Sequence, residues 1–245
     1  MKNTLTFQPP VIAHRGASAY APENTMSAFT KAVQLGIKWI EFDVMLAACG
    51  EMIIFHDETL DRTTDGKGEV YRFPYSYLHT LDAGKWFAPT FSGEKIPTFS
   101  EVMTFLEETS IYANVEIKPA PGQDKELVLR LVEEIETHFK HLKSKLLFSS
   151  FSAKSLRYLR KRMPEANIGL LLHHWKRHWA ATSDKLKCIA IHVNHEILTP
   201  DAARNIKDMG QSLLCYTVNN PARAAELFSW GVDAVFSDAP DKILI

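Results

Sequence analysis

Residues 39–44 read Trp-Ile-Glu-Phe-Asp-Val and predict a buried β-strand that carries two carboxylates. Side chains alternate between the two faces of a strand, so Glu41 and Asp43 point the same way, with their backbones about 6.6 Å apart. Two like charges on one buried face are costly unless a partner neutralises them, and the commonest partner is a metal ion. The segment therefore predicts a strand and, on it, part of a candidate metal site.

This strand belongs to a series in which strand-like and helix-like segments alternate along the chain. Eight candidate parallel strands result, and that number favours an α/β fold of the (β/α)8 or TIM-barrel type over a doubly wound sheet. A further segment at 52–55 extends or partners the second strand. The eight strands are expected at residues 11–14, 39–44, 112–117, 146–149, 167–172, 188–193, 213–218 and 234–236.

Residues 57–97 interrupt the alternation, because they are rich in Thr, Gly, Pro, Tyr and Phe and show little periodicity. A loop of this length inside a compact domain is usually functional or forms a small subdomain. We expect an insertion after the second strand that covers one end of the barrel. With no linker visible, we predict that residues 1–245 form a single domain.

Composition and charge exclude several classes of protein. The 245 residues are 46% hydrophobic with a formal net charge of −1, so no basic field attracts nucleic acid. The cysteines, Cys49, Cys188 and Cys215, lack any Cys-x-x-Cys spacing, which favours the reduced thiols of a cytosolic protein. The sequence shows no signal-peptide core and no apolar run near the roughly 20 residues of a membrane span. We therefore predict a cytoplasmic protein with neither a nucleic-acid partner nor stable membrane anchoring.

Titratable side chains collect at the ends of the first three predicted strands. The first strand ends at His14-Arg15, and the segment after the second ends at His56. The third carries Glu116 and Lys118, two residues apart and hence on one face. Reactive groups of a (β/α)8 barrel lie at the C-terminal ends of its strands, so this clustering predicts the site.

The three carboxylates Glu41, Asp43 and Glu116 predict a divalent cation. At about 5 Å and an effective dielectric near 20, each pair would repel by roughly 3 kcal/mol. Oxygen-only ligands favour Mg²⁺ or Ca²⁺ over zinc. The neighbouring Arg15 and Lys118 suit an anion such as phosphate, although internal salt bridges to the carboxylates without metal are the alternative.

His14 and His56 titrate near neutral pH, so one can take a proton while the other gives one. Cleavage of a phosphodiester needs both functions, because an unprotonated alkoxide is a poor leaving group. The alternative is a histidine buried for packing alone. Two histidines at strand ends beside carboxylates favour catalysis.

Eight short motifs follow one another in a characteristic order over nearly the whole chain. They are His14-Arg15-Gly16, Pro22-Glu23-Asn24-Thr25, Glu41-Phe42-Asp43-Val44, Phe55-His56-Asp57, Leu60-Asp61-Arg62-Thr63-Thr64, Val115-Glu116-Ile117-Lys118, Tyr216-Thr217-Val218-Asn219 and Ser237-Asp238-Ala239-Pro240. Their combination resembles the glycerophosphodiester phosphodiesterase family, of the bacterial cytosolic type, and is far more specific than any single motif.

This resemblance implies a (β/α)8 barrel with a small insertion after the second strand. It implies hydrolysis of glycerophosphodiesters, such as glycerophosphocholine or glycerophosphoethanolamine, to sn-glycerol 3-phosphate and an alcohol. It also implies one divalent metal ion, Mg²⁺ or Ca²⁺ (or Mn²⁺), with Glu41, Asp43 and Glu116 as ligands.

The resemblance further implies roles for the remaining candidate site residues. His14 and His56 would be the acid–base pair, and Arg15 and Lys118 would hold the phosphate. Tyr216 stands where this family usually has Trp, in the wall of the glycerol pocket. The direction of proton transfer and the nucleophile, water or the substrate's own 2-hydroxyl, stay open.

Two segments near the expected site have simpler interpretations. We expect Glu23 and Asn24 to cap the helix that begins near Thr25, although Glu23 could instead order Arg15. Residues 173–179, His-His-Trp-Lys-Arg-His-Trp, are expected to form a loop at the barrel mouth near the substrate's alcohol group.

Other functions remain as alternatives. A phosphodiesterase acting on lysophospholipid would need an apolar rim, for which the insertion offers aromatic residues that could equally form its own core. A phosphate-ligand-binding barrel without catalysis would not need both histidines. Metal-dependent deamination or amide hydrolysis on this fold expects a His-x-His pair, which the chain lacks.

Overall fold

The computed structural model describes residues 5–244, within which β-strands and α-helices alternate. The strands are Val11–Ala13 (β1), Trp39–Leu46 (β2), Met52–Ile54 (β3), Tyr112–Ile117 (β4), Leu146–Ser150 (β5), Ile168–Leu172 (β6), Ala190–Asn194 (β7), Ser212–Tyr216 (β8) and Ala234–Ser237 (β9). The α-helices are Met26–Gln34 (α1), Tyr75–Leu78 (α2), Phe99–Thr109 (α3), Asp124–His138 (α4), Ala153–Arg162 (α5), Trp179–Leu186 (α6), Pro200–Asp208 (α7) and Pro221–Ser229 (α8). The prediction of one domain also covers residues 1–4 and 245, which lie outside this description, and it stays a prediction.

Eight of the strands pair in parallel and close into a barrel. The order is β1, β2, β4, β5, β6, β7, β8 and β9, and β9 pairs back to β1. Strand β3 lies antiparallel against β2 and is the partner expected at residues 52–55. The predicted (β/α)8 barrel is therefore confirmed.

Five of the eight α-helices within residues 5–244 (α1, α3, α5, α7 and α8) begin at a short polar residue whose side chain accepts from a free backbone N–H group. Thr98 caps α3 by accepting from Glu101 N at 3.2 Å, and the Glu101 side chain accepts from Thr98 N at 2.7 Å. This reciprocal capping box fixes the point at which the chain leaves the insertion and rejoins the barrel. Among residues 5–244, no helix has both the length and the apolar character that crossing a membrane requires.

Apolar side chains fill the lower part of the barrel interior. Trp39 lies between Phe7 and Tyr112, with ring centroids 4.9 Å from each. Ile12 and Leu214 belong to the same buried cluster. Because strand side chains alternate, the next inward positions toward the C-terminal ends are free to carry polar groups above this apolar layer.

The segment between β3 and α3 forms the predicted insertion and contains α2 and two short 3₁₀ helices, Val70–Arg72 and Pro89–Phe91. It has an apolar cluster of its own that includes Leu60, Val70 and Leu78. Most of its aromatic rings pack against one another or against this cluster.

Candidate active site

A cavity of about 310 Å³ opens at the C-terminal ends of the barrel strands. Six of the eight sequence-predicted site residues line it, and Asp43 and Lys118 lie just behind this lining. The structure therefore brings the predicted residues into one place. The lining comprises His14, Arg15, Glu41, His56, Asn114, Glu116, Phe151, Leu171, His173, Tyr216, Thr217 and Phe236.

The three predicted metal ligands meet because of the register between β2 and β4. Asp43 pairs with Glu116 across the two strands, and Glu41 precedes Asp43 by two positions on the same face. One carboxylate oxygen from each of the three lies within 4.8 Å of the others. Glu41 and Asp43 are buried and Glu116 is partly buried, so water screens these charges poorly.

Electrostatics within this carboxylate cluster favour a bound cation. Burial and the charge of Asp43 raise the pKa of Glu116 to about 8 and hold the pKa of Glu41 well above its usual value. Burial also disfavours the charged form of Asp43, but Lys118 and Arg15 outweigh it and lower the pKa of Asp43 to about 2. The cluster thus holds more carboxylates than its cations can neutralise. An oxygen-only donor set with this excess charge fits a hard divalent cation.

Arg15 contacts the carboxylate cluster through both its backbone and its side chain. Its backbone N donates to Glu41 Oε2 at 2.8 Å, and its Nε lies 3.6 Å from Asp43 Oδ2. Its φ of +54° is in the left-handed region, which is uncommon for a residue with a side chain. Lys118 approaches the cluster from the other side, with Nζ 3.6 Å from Asp43 Oδ1.

The expectation that Glu23 and Asn24 cap α1 is wrong. Thr25 is the cap and accepts from the backbone N of Ala28 at 3.4 Å. Asn24 instead donates from Nδ2 to Asp43 Oδ2 at 2.9 Å. Glu23 accepts from Arg15, the alternative that the sequence left open. Both residues turn toward the site because the longer side chains reach the carboxylate cluster and Arg15, while the short Thr25 suffices for the cap.

His14 is held by the carboxylate of Asp238, the residue that follows the last barrel strand. Its Nδ1 lies 2.7 Å from Asp238 Oδ1. Asp238 also accepts from Ser18 at 2.9 Å and from Asn219 at 2.6 Å. Burial opposes the charge on Asp238, but these hydrogen bonds and His14 prevail and lower its pKa to about 2. His14 itself lines the cavity.

His56 is held in the same way by the residue that follows it. Its Nδ1 lies 2.6 Å from Asp57 Oδ1, and Asp57 accepts from Arg62 Nε and Nη2 at 2.7 and 2.9 Å. Hydrogen bonds from Arg62 hold the pKa of Asp57 well below its usual range. Burial lowers the pKa of His56, which favours the neutral ring that can accept a proton.

Sequence reasoning missed the carboxylates that orient the two histidines. In the sequence, Asp57, Asp238 and Arg62 were recognised only as members of short motifs, without a role in holding the histidines. Two sequence signals could have found them. Asp57 directly follows His56, and Asp238 directly follows β9, the strand that pairs with the strand ending before His14. Their pairing itself depends on the closed barrel.

A closed (β/α)8 barrel with carboxylates, two carboxylate-bound histidines and cations around one cavity at the C-terminal ends of its strands has the arrangement of a barrel enzyme. The family model described as "Glycerophosphoryl diester phosphodiesterase family" matches residues 14–242. The chain belongs to this family, and the prediction of an enzyme of this family is confirmed.

Individual relatives agree with the family assignment. A glycerophosphodiester phosphodiesterase of Caldanaerobacter subterraneus subsp. tengcongensis is 34% identical over 243 residues, covering 96% of each chain. A solved structure of an Oleispira antarctica phosphodiesterase, in complex with the product sn-glycerol-3-phosphate, is 38% identical with a TM-score of 0.92, over 96% of this chain and 95% of the other. A glycerophosphodiester phosphodiesterase structure from Agrobacterium tumefaciens is 28% identical with a TM-score of 0.79, over 98% and 99% of the two chains.

Proposed function

We propose that this chain hydrolyses glycerophosphodiesters to sn-glycerol 3-phosphate and an alcohol by acid–base catalysis between His14 and His56. The main support for this proposal is that these two histidines, each bonded through Nδ1 to its own carboxylate, line one cavity together with Arg15, Glu41 and Glu116. The relative whose structure holds sn-glycerol-3-phosphate supports the identity of the product.

Glu41, Asp43 and Glu116 would hold one divalent metal ion, for which their oxygen-only donor set favours Mg²⁺ or Ca²⁺, with Mn²⁺ as a third candidate. When bound, such an ion withdraws charge from phosphate oxygens and offsets the negative charge that builds up on them. The three carboxylates contribute by presenting their oxygens on neighbouring strands that the barrel keeps rigid.

The two histidines supply the proton transfers of a hydrolysis that consumes one water. The P–O bond to the alcohol breaks, an oxygen from water is added to phosphorus, and the alcohol oxygen gains a proton. One histidine takes a proton on the attacking side and the other gives one to the leaving alcohol. Asp238 and Asp57 fix Nδ1 of each ring, so that the other nitrogen of each can exchange the proton.

Substrate binding falls to cations and one hydroxyl that border the cavity. Arg15 Nε is buried and has no hydrogen-bond partner among residues 5–244, which leaves a donor for a phosphate oxygen. Lys118, whose Nζ lies 3.6 Å from Asp43 Oδ1, adds a second positive charge beside the carboxylate cluster. The buried hydroxyl of Tyr216, equally without a partner in the described residues, is positioned for a glycerol hydroxyl.

The alternative functions have less support. Phe73 and Tyr75 pack against the apolar cluster of the insertion itself, so part of its aromatic surface is used internally and is not available as a rim for lipid chains. A binding protein without catalysis does not account for two histidines that are each aligned by a carboxylate. The free cysteines Cys49, Cys188 and Cys215 support the proposed cytoplasmic location.

A substrate panel tests the proposal. Glycerophosphocholine, glycerophosphoethanolamine, glycerophosphoglycerol and lysophosphatidylcholine are each incubated with the protein and Mg²⁺, Ca²⁺ or Mn²⁺, and ³¹P NMR identifies the products. We expect sn-glycerol 3-phosphate from the three deacylated diesters and much slower turnover of the lysophospholipid. Faster turnover of the lysophospholipid, or phosphate products other than sn-glycerol 3-phosphate, would contradict the proposal.

A further inference from the structure

A run of six exposed residues follows β6 and precedes α6. These residues, 173–178, read His-His-Trp-Lys-Arg-His and are here called the mouth loop. Two of its side chains, Lys176 and Arg177, are positively charged at neutral pH, and three more are histidines. The proposed hydrolysis assigns no role to these side chains.

Three contacts place the mouth loop at the rim of the active-site cavity. His173, its first residue, lines the cavity. Lys176 Nζ lies 3.4 Å from the backbone oxygen of Phe151, which also lines the cavity. Trp175 Nε1 donates to the backbone oxygen of Ile197 at 3.2 Å and so ties the loop to the segment after β7. Lys176 is therefore held beside the entrance, and Arg177 is the next residue of the same exposed loop.

The positive charge of the mouth loop is not balanced by neighbouring carboxylates. Within residues 5–244, no carboxylate lies within 4.0 Å of a charged nitrogen of Lys176 or Arg177. Arg15 and Arg62, by contrast, are each paired with Glu23. Unpaired cations at the mouth of a cleft with low-dielectric walls raise the local concentration of anions.

We propose that the mouth loop binds the alcohol half of the substrate when that half carries its own negative charge, such as a second phosphate. This inference rests on the proposed function, because it assigns the scissile phosphate to Arg15 and Lys118 and only the leaving group to Lys176 and Arg177. A cationic alcohol such as choline would meet like charge at this rim. The subsite therefore distinguishes diesters by the charge of the alcohol.

The test compares three substrates that differ in the charge of the alcohol half. Deacylated cardiolipin releases an alcohol that carries a phosphodiester, glycerophosphoglycerol releases a neutral alcohol, and glycerophosphocholine releases a cationic one. Each is assayed with the unaltered protein and with the double variant Lys176→Gln/Arg177→Gln. The matched control is Lys161→Gln/Arg162→Gln, an exposed pair of the same composition at the end of α5.

We expect kcat/KM of the mouth-loop variant to fall about fivefold on deacylated cardiolipin, the effect of losing two exposed charge pairs. Turnover of the neutral substrate should change less than twofold and that of glycerophosphocholine should hold or rise. The difference between substrates should shrink at high salt, because salt screens exposed charges. The control variant should match the unaltered protein on all three substrates.

Other outcomes overturn the inference in separable ways. An equal loss on all three substrates would show that the loop only supports the fold. No loss on any would show that its cations do not contact the alcohol, and loss of binding to anionic phosphatidylglycerol vesicles with unchanged substrate preference would assign the loop to a membrane surface. Failure of the unaltered protein to hydrolyse any of the three would contradict the proposed function itself, and the subsite with it.

Discussion

Arg62 donates from Nη1 and Nη2 to the two carboxylate oxygens of Glu23, at 2.6 and 2.7 Å. The same guanidinium holds Asp57, the partner of His56, and Glu23 in turn accepts from Arg15 at 2.7 Å. Arg62, a residue of the insertion, therefore connects His56, through Asp57, to Arg15, through Glu23. The Arg62 side chain is 45% exposed, so we expect its ion pairs to contribute little to the free energy of unfolding.

Replacement of this connecting residue tests whether it positions the site. We expect Arg62→Ala to lower kcat by about tenfold or more, the range typical of residues that orient a reacting side chain. Arg62→Lys should restore little of the lost kcat, because a single ammonium cannot hold two carboxylates in the fixed geometry of a guanidinium. Arg157→Ala, an exposed arginine of α5, serves as the control. Unchanged kcat in a folded Arg62→Ala variant would show that the connection is incidental.

Asp238 is expected to matter through His14. Asp238→Asn keeps the shape of the side chain but removes the negative charge that faces Nδ1 of His14 and orients the ring. We expect kcat to fall about 10²-fold, within the range for acid–base groups, with KM little altered. The nearby Asp241→Asn, which contacts Tyr20 instead of His14, is the control. Steady-state kinetics that show a changed KM and a normal kcat would argue against this role.

Glu116→Gln addresses the proposed metal site. The substitution removes a charged ligand while preserving size, so activity should need a metal concentration roughly tenfold higher for half-maximal rate. The fold should be retained, because burial and Asp43 raise the pKa of Glu116 to about 8, so that a neutral side chain of this size is already accommodated in the metal-free protein near pH 7. Titration of activity against Mg²⁺ for both proteins gives the comparison. Identical metal dependence would remove Glu116 from the ligand set.

We predict that the free energy of unfolding falls in acid because of His192 on β7. It is fully buried, both ring nitrogens lack a hydrogen-bond partner among residues 5–244, and burial lowers its pKa from 6.5 to about 3. Because the folded-state pKa lies below the unfolded one, stability is fully present above pH 6.5 and is lost as the pH falls toward 3. At pH 4.5 the loss should amount to about 2–3 kcal/mol relative to pH 7.

Urea unfolding at pH 7 and pH 4.5 measures this loss in the free energy of unfolding. His192→Leu should lose less stability between the two pH values than the unaltered protein, because Leu of similar size takes up no proton. The exposed His138→Leu should show the same pH dependence as the unaltered protein. If all three proteins lose stability equally, the charge state of His192 does not control acid sensitivity.

The features that could be predicted from the sequence are those that depend on the alternation of side chains along one strand and on the succession of strands. Glu41 and Asp43 were assigned to one face from strand alternation alone, and the barrel from the number of strands. The contacts that complete the site join residues far apart in the chain: His14 and Asp238 are separated by 224 positions, and Arg62 and Glu23 by 39. No local periodicity encodes such pairs, because they arise only when the barrel closes and the insertion folds over it.

We propose above that the carboxylate cluster and the two histidines form one metal-dependent site for glycerophosphodiester hydrolysis. The most direct test is the rate of sn-glycerol 3-phosphate release from glycerophosphoglycerol before chelation, after removal of metal, and after addition of Mg²⁺ or Ca²⁺. We expect chelation to abolish the release and one of these ions to restore it, whereas His56→Ala with the restored ion should stay slower by about 10²-fold or more. Undiminished release from metal-free protein, or full activity of a folded His56→Ala variant, would contradict the account.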